Sequence, residues 1–300
     1  QTIFNEKTFR FTRLRCPDGR PLLNGAAKEL LTQRSTHGPF TSRLPSKAVD
    51  LALFRAFLED ERGVEATYTE EMRSDPPEFV KTYFDWLRES RGLTMEDPIH
   101  IGIFAHAANG GIKTDPNAFT GVPGLFAAGE VTGGMHGADR IGGLSTANGL
   151  VFGGKAGRSA AEACAGTPEP PDEYLFHAAS SGNVPEVLST LQEAMFRNAM
   201  VIRWEEGLSA ALGTVERLCA NLSLCPSGDV HAIAQTRRLT GRLHTAEAIL
   251  KAALLEPTTG PTIREKTRPR LFQSSSRKTP APSAPALPRR MCHAHDQGDH

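Results

Sequence analysis

One glycine-rich stretch, residues 121–161, constrains the fold more than any other part of this sequence. Its loop portion contains Gly133, Gly134, Gly137, Gly142 and Gly143. Glycine allows the backbone to adopt positive φ and to approach a ligand closely. Ser145 or Thr146 is a suitable N-cap for a helix predicted over residues 147–165. Because a helix N-terminus carries unpaired N–H groups and partial positive charge, the stretch predicts a site for an anionic group there.

A short strand is predicted ahead of this loop, over the apolar residues 122–128, which begin at the turn dipeptide Pro123-Gly124. Gly129 and Glu130 end that strand. In an α/β domain, a carboxylate just past a strand end is well placed to accept hydrogen bonds from a ribose. The plainer interpretation of the same residues is a glycine-rich loop in an ordinary α/β domain.

The order of motifs favours the first interpretation. Gly129-Glu130, His136-Gly-Ala-Asp-Arg140, two glycines and a capped helix follow one another. This order resembles the flavin-binding C-terminal part of the succinate dehydrogenase/fumarate reductase flavoproteins, a family that includes L-aspartate oxidase. Those proteins carry a G-E…H-G-A-N-R…G-G-N-S-L pattern, from which this chain departs at Asp139 and at Leu144-Ser145-Thr146. The resemblance extends, more weakly, over residues 36–255.

The resemblance implies FAD as the cofactor and a small dicarboxylate as the substrate. Its implied cofactor-binding residues are Gly129, Glu130, Ser145 and Thr146. The segment from Thr41 to Lys47 resembles a G-R-D-x-x-x-R segment, which implies that Arg43 is the catalytic residue that moves a proton to or from a substrate carbon atom. Lys47 stands where the family usually has a second arginine.

Three further positions are implied to bind substrate. His106-Ala-Ala-Asn-Gly-Gly-Ile resembles an H-x-x-x-G-G-[IV] segment, whose histidine holds a substrate carboxylate. Arg140 falls at an arginine that binds a carboxylate beside the flavin, and Gly143 lies next to it in the site. Taken singly, Arg43 is also explained as a surface charge, His106 as a core histidine, and Arg140 as a partner of Asp139 or Glu130.

Arginine suits carboxylate binding on chemical grounds. Its planar fork makes two-point contacts with a carboxylate, and it stays ionised when desolvated. Its very high pKa makes it an unusual acid, so the role of Arg43 in proton transfer follows from the resemblance alone.

The predicted fold class is α/β, followed by an all-α domain and a disordered tail. Residues 1–97 are assigned to the remainder of an α+β capping domain and residues 98–166 to the closing part of a Rossmann-like FAD domain. Residues 172–255 are assigned to a three-helix C-terminal domain. Residues 256–300, rich in Pro, Ser and Arg, are predicted to be disordered, either as a natural tail or as the product of a shifted reading frame.

Individual elements are predicted from periodicity and turn residues. Phe4, Phe9, Phe11 and Leu14 suggest a hairpin, with Asp18-Gly19 as a turn signal. Helices are predicted after an N-cap at Ser46 and over residues 77–91, and strands over residues 64–68 and 98–108, the latter continuing into a hairpin after Asn109-Gly110-Gly111. After a linker at residues 167–171, three helices are predicted from apolar faces at Val184, Val187, Leu188, Leu191 and Met195; at Leu208, Ala211, Leu212, Val215, Leu218 and Leu222; and at Leu239, Leu243, Ala246, Leu250, Ala253 and Leu254.

Composition excludes several classes of protein. The formal charge of the 300-residue chain is +0, which gives no footprint for nucleic acid. Five cysteines form no regular framework, and no apolar run approaches the roughly 20 residues of a membrane helix. We expect a cytoplasmic protein without a metal site, since the Cys292-His293-Ala-His295 cluster is of a kind that is more often inert. Any membrane association would come through a partner subunit.

Parts of the family's layout have no counterpart in this sequence. It starts at Gln1 and has no early G-x-G-x-x-G, so we expect the N-terminal FAD-binding half to be missing. It has no cysteine set for an iron–sulfur cluster, so an iron–sulfur or electron-acceptor partner would be a separate subunit. Two alternatives stay open: an L-aspartate oxidase-like oxidation of an amino acid, and a non-catalytic remnant that binds a partner through its helices.

Overall fold

The computed structural model describes residues 4–38, 41, 43–137, 140–141, 143–163, 177–179, 184–222, 224–226, 229–255 and 263–264. The chain divides into two units, Gln1–Arg268 and Pro269–His300, and all the described residues belong to the first. The helices are α1 (Ala27–Arg34), α2 (Lys47–Glu59), α3 (Glu70–Ser74), α4 (Glu78–Arg91), α5 (Leu144–Ala163), α6 (Val184–Ala199), α7 (Glu205–Ala220) and α8 (Val230–Leu255). The strands are β1 (Thr12–Arg15), β2 (Val64–Tyr68), β3 (Ile99–Ile101), β4 (His177–Ala179), β5 (Ile202–Arg203), β6 (Leu224–Pro226) and β7 (Ile263–Arg264).

An antiparallel sheet in the order β1-β2-β3 covers the first hydrophobic core. Its register places Leu14 opposite Ala66, and Ala66 opposite Ile99. Alternate residues of each strand are buried, as expected for a sheet with one face on the core. The strand predicted at residues 64–68 is therefore confirmed.

The hairpin predicted over Phe4–Leu14 is wrong in its first half. Residues Glu6–Phe11 form a 3-10 helix, which Asn5 caps by accepting a hydrogen bond from the Lys7 N–H. Phe9 and Phe11 are both buried in this helix, so their spacing of two, which suggests a strand, is equally served by a tight helical turn. The turn signal at Asp18-Gly19 is confirmed, because Arg15 pairs with Pro21 across it and Gly19 has φ of 84°.

Helix α2 forms as predicted, but Ser46 does not cap it. Ser46 has helical φ and ψ and makes no capping hydrogen bond. Its N–H donates to Gln33 Oε1 at 2.8 Å, and its hydroxyl lies 2.9 Å from His37 Nε2. The serine therefore joins α2 to the end of α1 instead of satisfying the first turn of its own helix.

A buried ion pair holds the same two helices together. Arg34 Nε donates to Asp50 at 3.0 Å, and Arg34 Nη1 donates to the carbonyl oxygens of His37 and Gly38. Arg34 is 6% exposed and Asp50 is 3% exposed. The guanidinium thus satisfies three acceptors in the interior, and burial raises the pKa of the Asp50 carboxyl.

The helix predicted over residues 77–91 is confirmed as α4. Val80, Phe84 and Leu87 face the core, and Gly92 ends the helix in a left-handed conformation with φ of 68°. Phe79, counted from the sequence among the helical apolar residues, is instead 50% exposed.

The predictions for residues 98–165 need several corrections. The extended segment has strand pairing at Ile99–Ile101 alone among its described residues, and Ile112 bridges Thr132 in parallel where a hairpin was predicted. Residues 122–128 form a turn and a bridge between Phe119 and Phe126 instead of a strand. Helix α5 begins at Leu144, so Ser145 and Thr146 lie inside its first turn and do not cap it.

The three predicted C-terminal helices are confirmed as α6, α7 and α8, and their predicted faces share one hydrophobic core. A smaller cluster of Phe54, Val201, Ile202 and Trp204 joins α2 to the start of α7. The predicted linker at residues 167–171 lies outside the described residues, as does most of the predicted tail. Within that tail, Ile263–Arg264 pair with β5 in parallel. The domain boundaries and the disorder of the tail stay predictions.

Candidate functional site

Two glycine-containing segments cross in close contact at the centre of the predicted site. Ile112 N–H donates to Val131 O at 2.8 Å, and Gly133 N–H donates to Ile112 O at 3.0 Å. A Cβ atom on Gly111 would lie 2.1 Å from Val131 O, and one on Gly133 would lie 2.8 Å from Gly111 N. Glycine is therefore required at both positions for the backbones to meet.

Glu130 connects this crossing to the segment that contains His106. Its Oε1 accepts a hydrogen bond from the Ala108 N–H at 3.2 Å. Gly129, with φ of 81°, begins a short 3-10 helix, Gly129–Val131, that presents the carboxylate. Sequence reasoning assigned Glu130 to the cofactor, and the structure shows in addition that it holds the neighbouring backbone.

Two side-chain hydrogen bonds attach the glycine-rich loop to helix α5. Arg140 Nη1 donates to Ser145 Oγ at 3.1 Å. Asn148 Nδ2 lies 3.2 Å from His136 Nε2. Asn148 is the buried residue of α5. The structure thus brings Arg140 together with Ser145, and places Gly143 and Thr146 in the same turn.

Arg43 and His106 lie apart from these contacts in the chain. His106 is exposed in the irregular segment after β3. Arg43 is exposed in the connection between α1 and α2, where its backbone N–H donates to Thr41 Oγ1 at 3.3 Å. The described hydrogen bonds do not link Arg43 to His106 or Arg140.

The N-terminal end of α5 has features that fit a flat, polar cofactor. Gly143 has φ of 85°, and Ile141 and Leu144 near it are 70% and 44% exposed. Within the described residues, Asn148 Oδ1 is buried and has no hydrogen-bond partner. An electron-rich ring system with hydrogen-bonding edges would use the exposed apolar side chains, the loop backbone and the N-terminus of the helix together.

His136 and Asn148 are the residues that sequence reasoning missed. They are separated by twelve residues and belong to different elements, so no local periodicity connects them. The stabilising pair Arg34 and Asp50 was missed for the same reason. Of the sequence features discussed above, Asp139, Gly142 and the Cys292-His293-Ala-His295 cluster lie outside the described residues.

A separate cavity of about 230 Å³ lies on the outer face of the three-stranded sheet. It is lined by Arg15, Cys16, Pro17, Gly19, Arg62, Gly63, Glu65 and His100. None of the predicted site residues is among them. Within the described part of the chain, no helix has the length and apolar character needed to cross a membrane.

Comparison with known proteins identifies relatives of this region. Residues 54–146 match the family model of the FAD binding domain. A chain of the fumarate reductase (CoM/CoB) of Methanothermobacter marburgensis is 30% identical over 191 residues, which are 58% of this chain and 35% of that protein. L-aspartate oxidase of Mycobacterium bovis is 38% identical over 144 residues, which are 45% of this chain and 25% of that protein.

A solved structure shows the same likeness. The Mycobacterium smegmatis Sdh1 complex in the apo form contains a chain that is 28% identical, with a TM-score of 0.58. The match covers 74% of this chain and 42% of that one. This chain therefore corresponds to less than half of each of these relatives. The mixed arrangement of helices and sheet is one that flavoproteins share.

Proposed function

We propose that this chain, which resembles the flavoproteins of succinate dehydrogenase and fumarate reductase and L-aspartate oxidase, belongs to an FAD-dependent oxidoreductase that acts on a small dicarboxylate. The observation that carries the proposal is the match of residues 54–146 to the FAD binding domain. That range contains five of the predicted contacts: His106, Glu130, Arg140, Ser145 and Thr146.

The residues that would hold the cofactor are those at the loop crossing and at the start of α5. Gly129 and Glu130 would face its sugar, and Ser145 and Thr146 would face its ring. Bound FAD supplies a hydride acceptor or donor. The close packing of Gly111 and Gly133 against backbone keeps bulky side chains out of this region.

The substrate would be held by its two carboxylates. Arg140 would bind one carboxylate through its planar fork, and the hydrogen bond to Ser145 fixes the direction of that fork. His106, exposed and next to the Glu130-bound backbone, would bind the other. Arg43 would accept the proton that leaves the carbon atom next to the one that loses hydride, or return it in the reverse direction.

The test is a titration of the purified chain after incubation with FAD, followed by flavin absorbance. Succinate is expected to bleach the oxidised flavin, and fumarate is expected to restore it. Arg140→Lys keeps the charge but loses the fork, so we expect it to slow both changes strongly without changing the circular dichroism spectrum. Bound flavin that responds to neither dicarboxylate would contradict the proposal.

The L-aspartate oxidase-like reaction is the second candidate, favoured by the 38% identity over 144 residues. It uses the same scaffold, and aspartate would then bleach the flavin where succinate does not. A chain that binds no FAD at all would instead support the non-catalytic alternative. Since the match covers 35% of the fumarate reductase chain's length, we expect FAD to bind weakly to these residues alone.

We also propose that the protein works with an iron–sulfur or other electron-acceptor subunit. The support is that the solved relative is a complex by its title. Co-purification of a redox-active partner with the tagged chain from its source would test this. A tagged chain that purifies alone while exchanging electrons with substrate would contradict it.

A further inference from the structure

The segment that contains His106 leaves β3 at Ile101 and runs to Ala108 without regular structure. Its near end is packed against a single aromatic ring. A Cβ atom on Gly102 would lie 2.6 Å from Cδ2 and 2.7 Å from Cε2 of Phe57. The ring of Phe104 meets the same ring edge-on, with centroids 5.8 Å apart. Phe57 therefore contacts the chain at two positions just before His106.

Phe57 also contacts the helical bundle. Its ring centroid lies 5.4 Å from that of Phe196 on α6, at an interplanar angle of 64°. Phe196 in turn lies 5.6 Å from Phe54, which is 0% exposed. Such tilted and edge-on pairs are favoured by the ring quadrupole, in addition to the area that they bury. The three rings Phe196, Phe57 and Phe104 thus form a continuous series from α6 to the segment.

The far end of the segment is fixed independently. The Glu130 carboxylate accepts the Ala108 N–H at 3.2 Å, so His106 lies midway between Phe104 and a bonded residue. Its imidazole makes no hydrogen bond to the described part of the chain. The position of this ring is therefore set by how the backbone is held on both sides of it.

We propose that Phe57 and Phe196 are positioning residues for His106, through which the helical bundle sets the geometry of the carboxylate site. The carboxylate part of this inference rests on the proposed function. A displacement of a ligating group by about 1 Å is enough to weaken binding substantially. Replacement of either ring by a smaller side chain would let the segment shift toward the space left behind.

The experiment uses the full 300-residue chain labelled at histidine, with the imidazole resonances recorded by NMR. His106→Gln identifies the His106 signal by its loss. Phe57→Leu and Phe196→Leu are expected to shift that signal. Phe79→Leu, at an aromatic residue of α4 that is 50% exposed, is the matched control and is expected to leave it in place. We expect succinate to bind about tenfold more weakly to the first two variants, as for loss of one charged hydrogen bond.

A compensating variant separates positioning from general damage. Gly102→Ala adds a methyl group that meets the Phe57 ring, so it should move the His106 signal and weaken succinate binding. Combining it with Phe57→Leu should return both toward the wild-type values, because the smaller side chain makes room.

The two hypotheses fail in different ways. An unchanged His106 signal in both Phe57→Leu and Phe196→Leu would overturn the positioning role. A wild-type His106 signal that succinate does not move would overturn the proposed role of His106 in substrate binding, whatever the variants show.

Discussion

At Gly63 the backbone leaves no room for a side chain. This residue turns the chain into β2 with φ of 76°, and a Cβ atom there would lie 2.4 Å from Ile101 O on the neighbouring strand. Gly92 has a similar φ of 68°, but a Cβ atom there would meet nothing within 4 Å. The two glycines therefore separate the cost of left-handed backbone from the cost of a steric clash.

We expect Gly92→Ala to lower the free energy of unfolding by about 1 kcal/mol, since only the left-handed conformation is penalised. Gly63→Ala should cost at least twice as much, because the strand that carries Ile101 must also move. Urea denaturation followed by circular dichroism measures both. Equal losses would show that β3 gives way without resistance.

The phenol of Tyr68 predicts how stability changes at high pH. Burial raises the pKa of Tyr68 from 10.0 to about 12, partly offset by its hydrogen bond with Thr8. A raised pKa stabilises the folded state fully below about pH 10, and this contribution is lost as the pH rises through about 12. The difference corresponds to about 3 kcal/mol.

Tyr68→Phe removes this group and should flatten the decline in unfolding free energy between about pH 9 and 12. Near neutral pH the variant should be slightly less stable, because Thr8 loses its partner. The measurement is urea denaturation at several pH values. A variant with the same alkaline slope as the wild type would show that Tyr68 ionises freely in the folded protein.

At the scale of elements, local periodicity predicted most of the helices well. The faces of α6, α7 and α8 repeat at 3.6 residues within one segment, so the sequence alone contains the information. Ser46 shows the opposite case. A serine ahead of an apolar helix is a good N-cap by rule, but Gln33 and His37 bind it instead, and neither contact is visible in the local sequence.

The candidate site was predictable in its motifs but not in its contacts. Glu130 and Arg140 were identified from the glycine-rich stretch, where residue types follow one another in a fixed order. Their partners, the Ala108 N–H and Ser145 Oγ, depend on how separate segments cross. The crossing itself requires Gly111 and Gly133 to touch backbone, which no pattern of hydrophobicity reveals.

The bundle should depend on α8 through one face. Leu243 is 1% exposed, whereas Ile249 on the same helix is 43% exposed. Leu243→Ala should destabilise the bundle by about 2–5 kcal/mol, because it leaves a cavity between three helices. Ile249→Ala should cost less than about 1 kcal/mol. Thermal unfolding followed by helical circular dichroism compares them, and similar losses would contradict the assigned face.

At the scale of the whole molecule, Phe54 joins the sheet-containing core to the helical bundle. It is fully buried on α2 and packs with Val201, Ile202 and Trp204. Across this junction Arg197 also lies 3.7 Å from Glu61, but these side chains are 35% and 83% exposed, so the pair contributes little. Apolar contact therefore carries the connection.

Phe54→Ala should uncouple the two cores. In a Trp86→Phe background, the fluorescence of Trp204 reports on the junction, and circular dichroism reports on all helices. We expect the two urea transitions to coincide with Phe54 present and to separate in Phe54→Ala, which should lose about 3–5 kcal/mol at the junction. Phe79→Ala is the control. Coincident transitions in Phe54→Ala would show that other contacts couple the cores.

Helix α5 has a consequence for hydrogen exchange. Among its 20 residues Asn148 is the buried one, and Leu150 and Val151 are 75% and 58% exposed. A helix with so little tertiary packing depends on its own propensity, and its interior contains Gly149, Gly153, Gly154 and Gly157. Its amide protons should therefore exchange with deuterium well before those of α8 in the same molecule. The start of α5, where the candidate site lies, would open and close many times during each opening of the bundle.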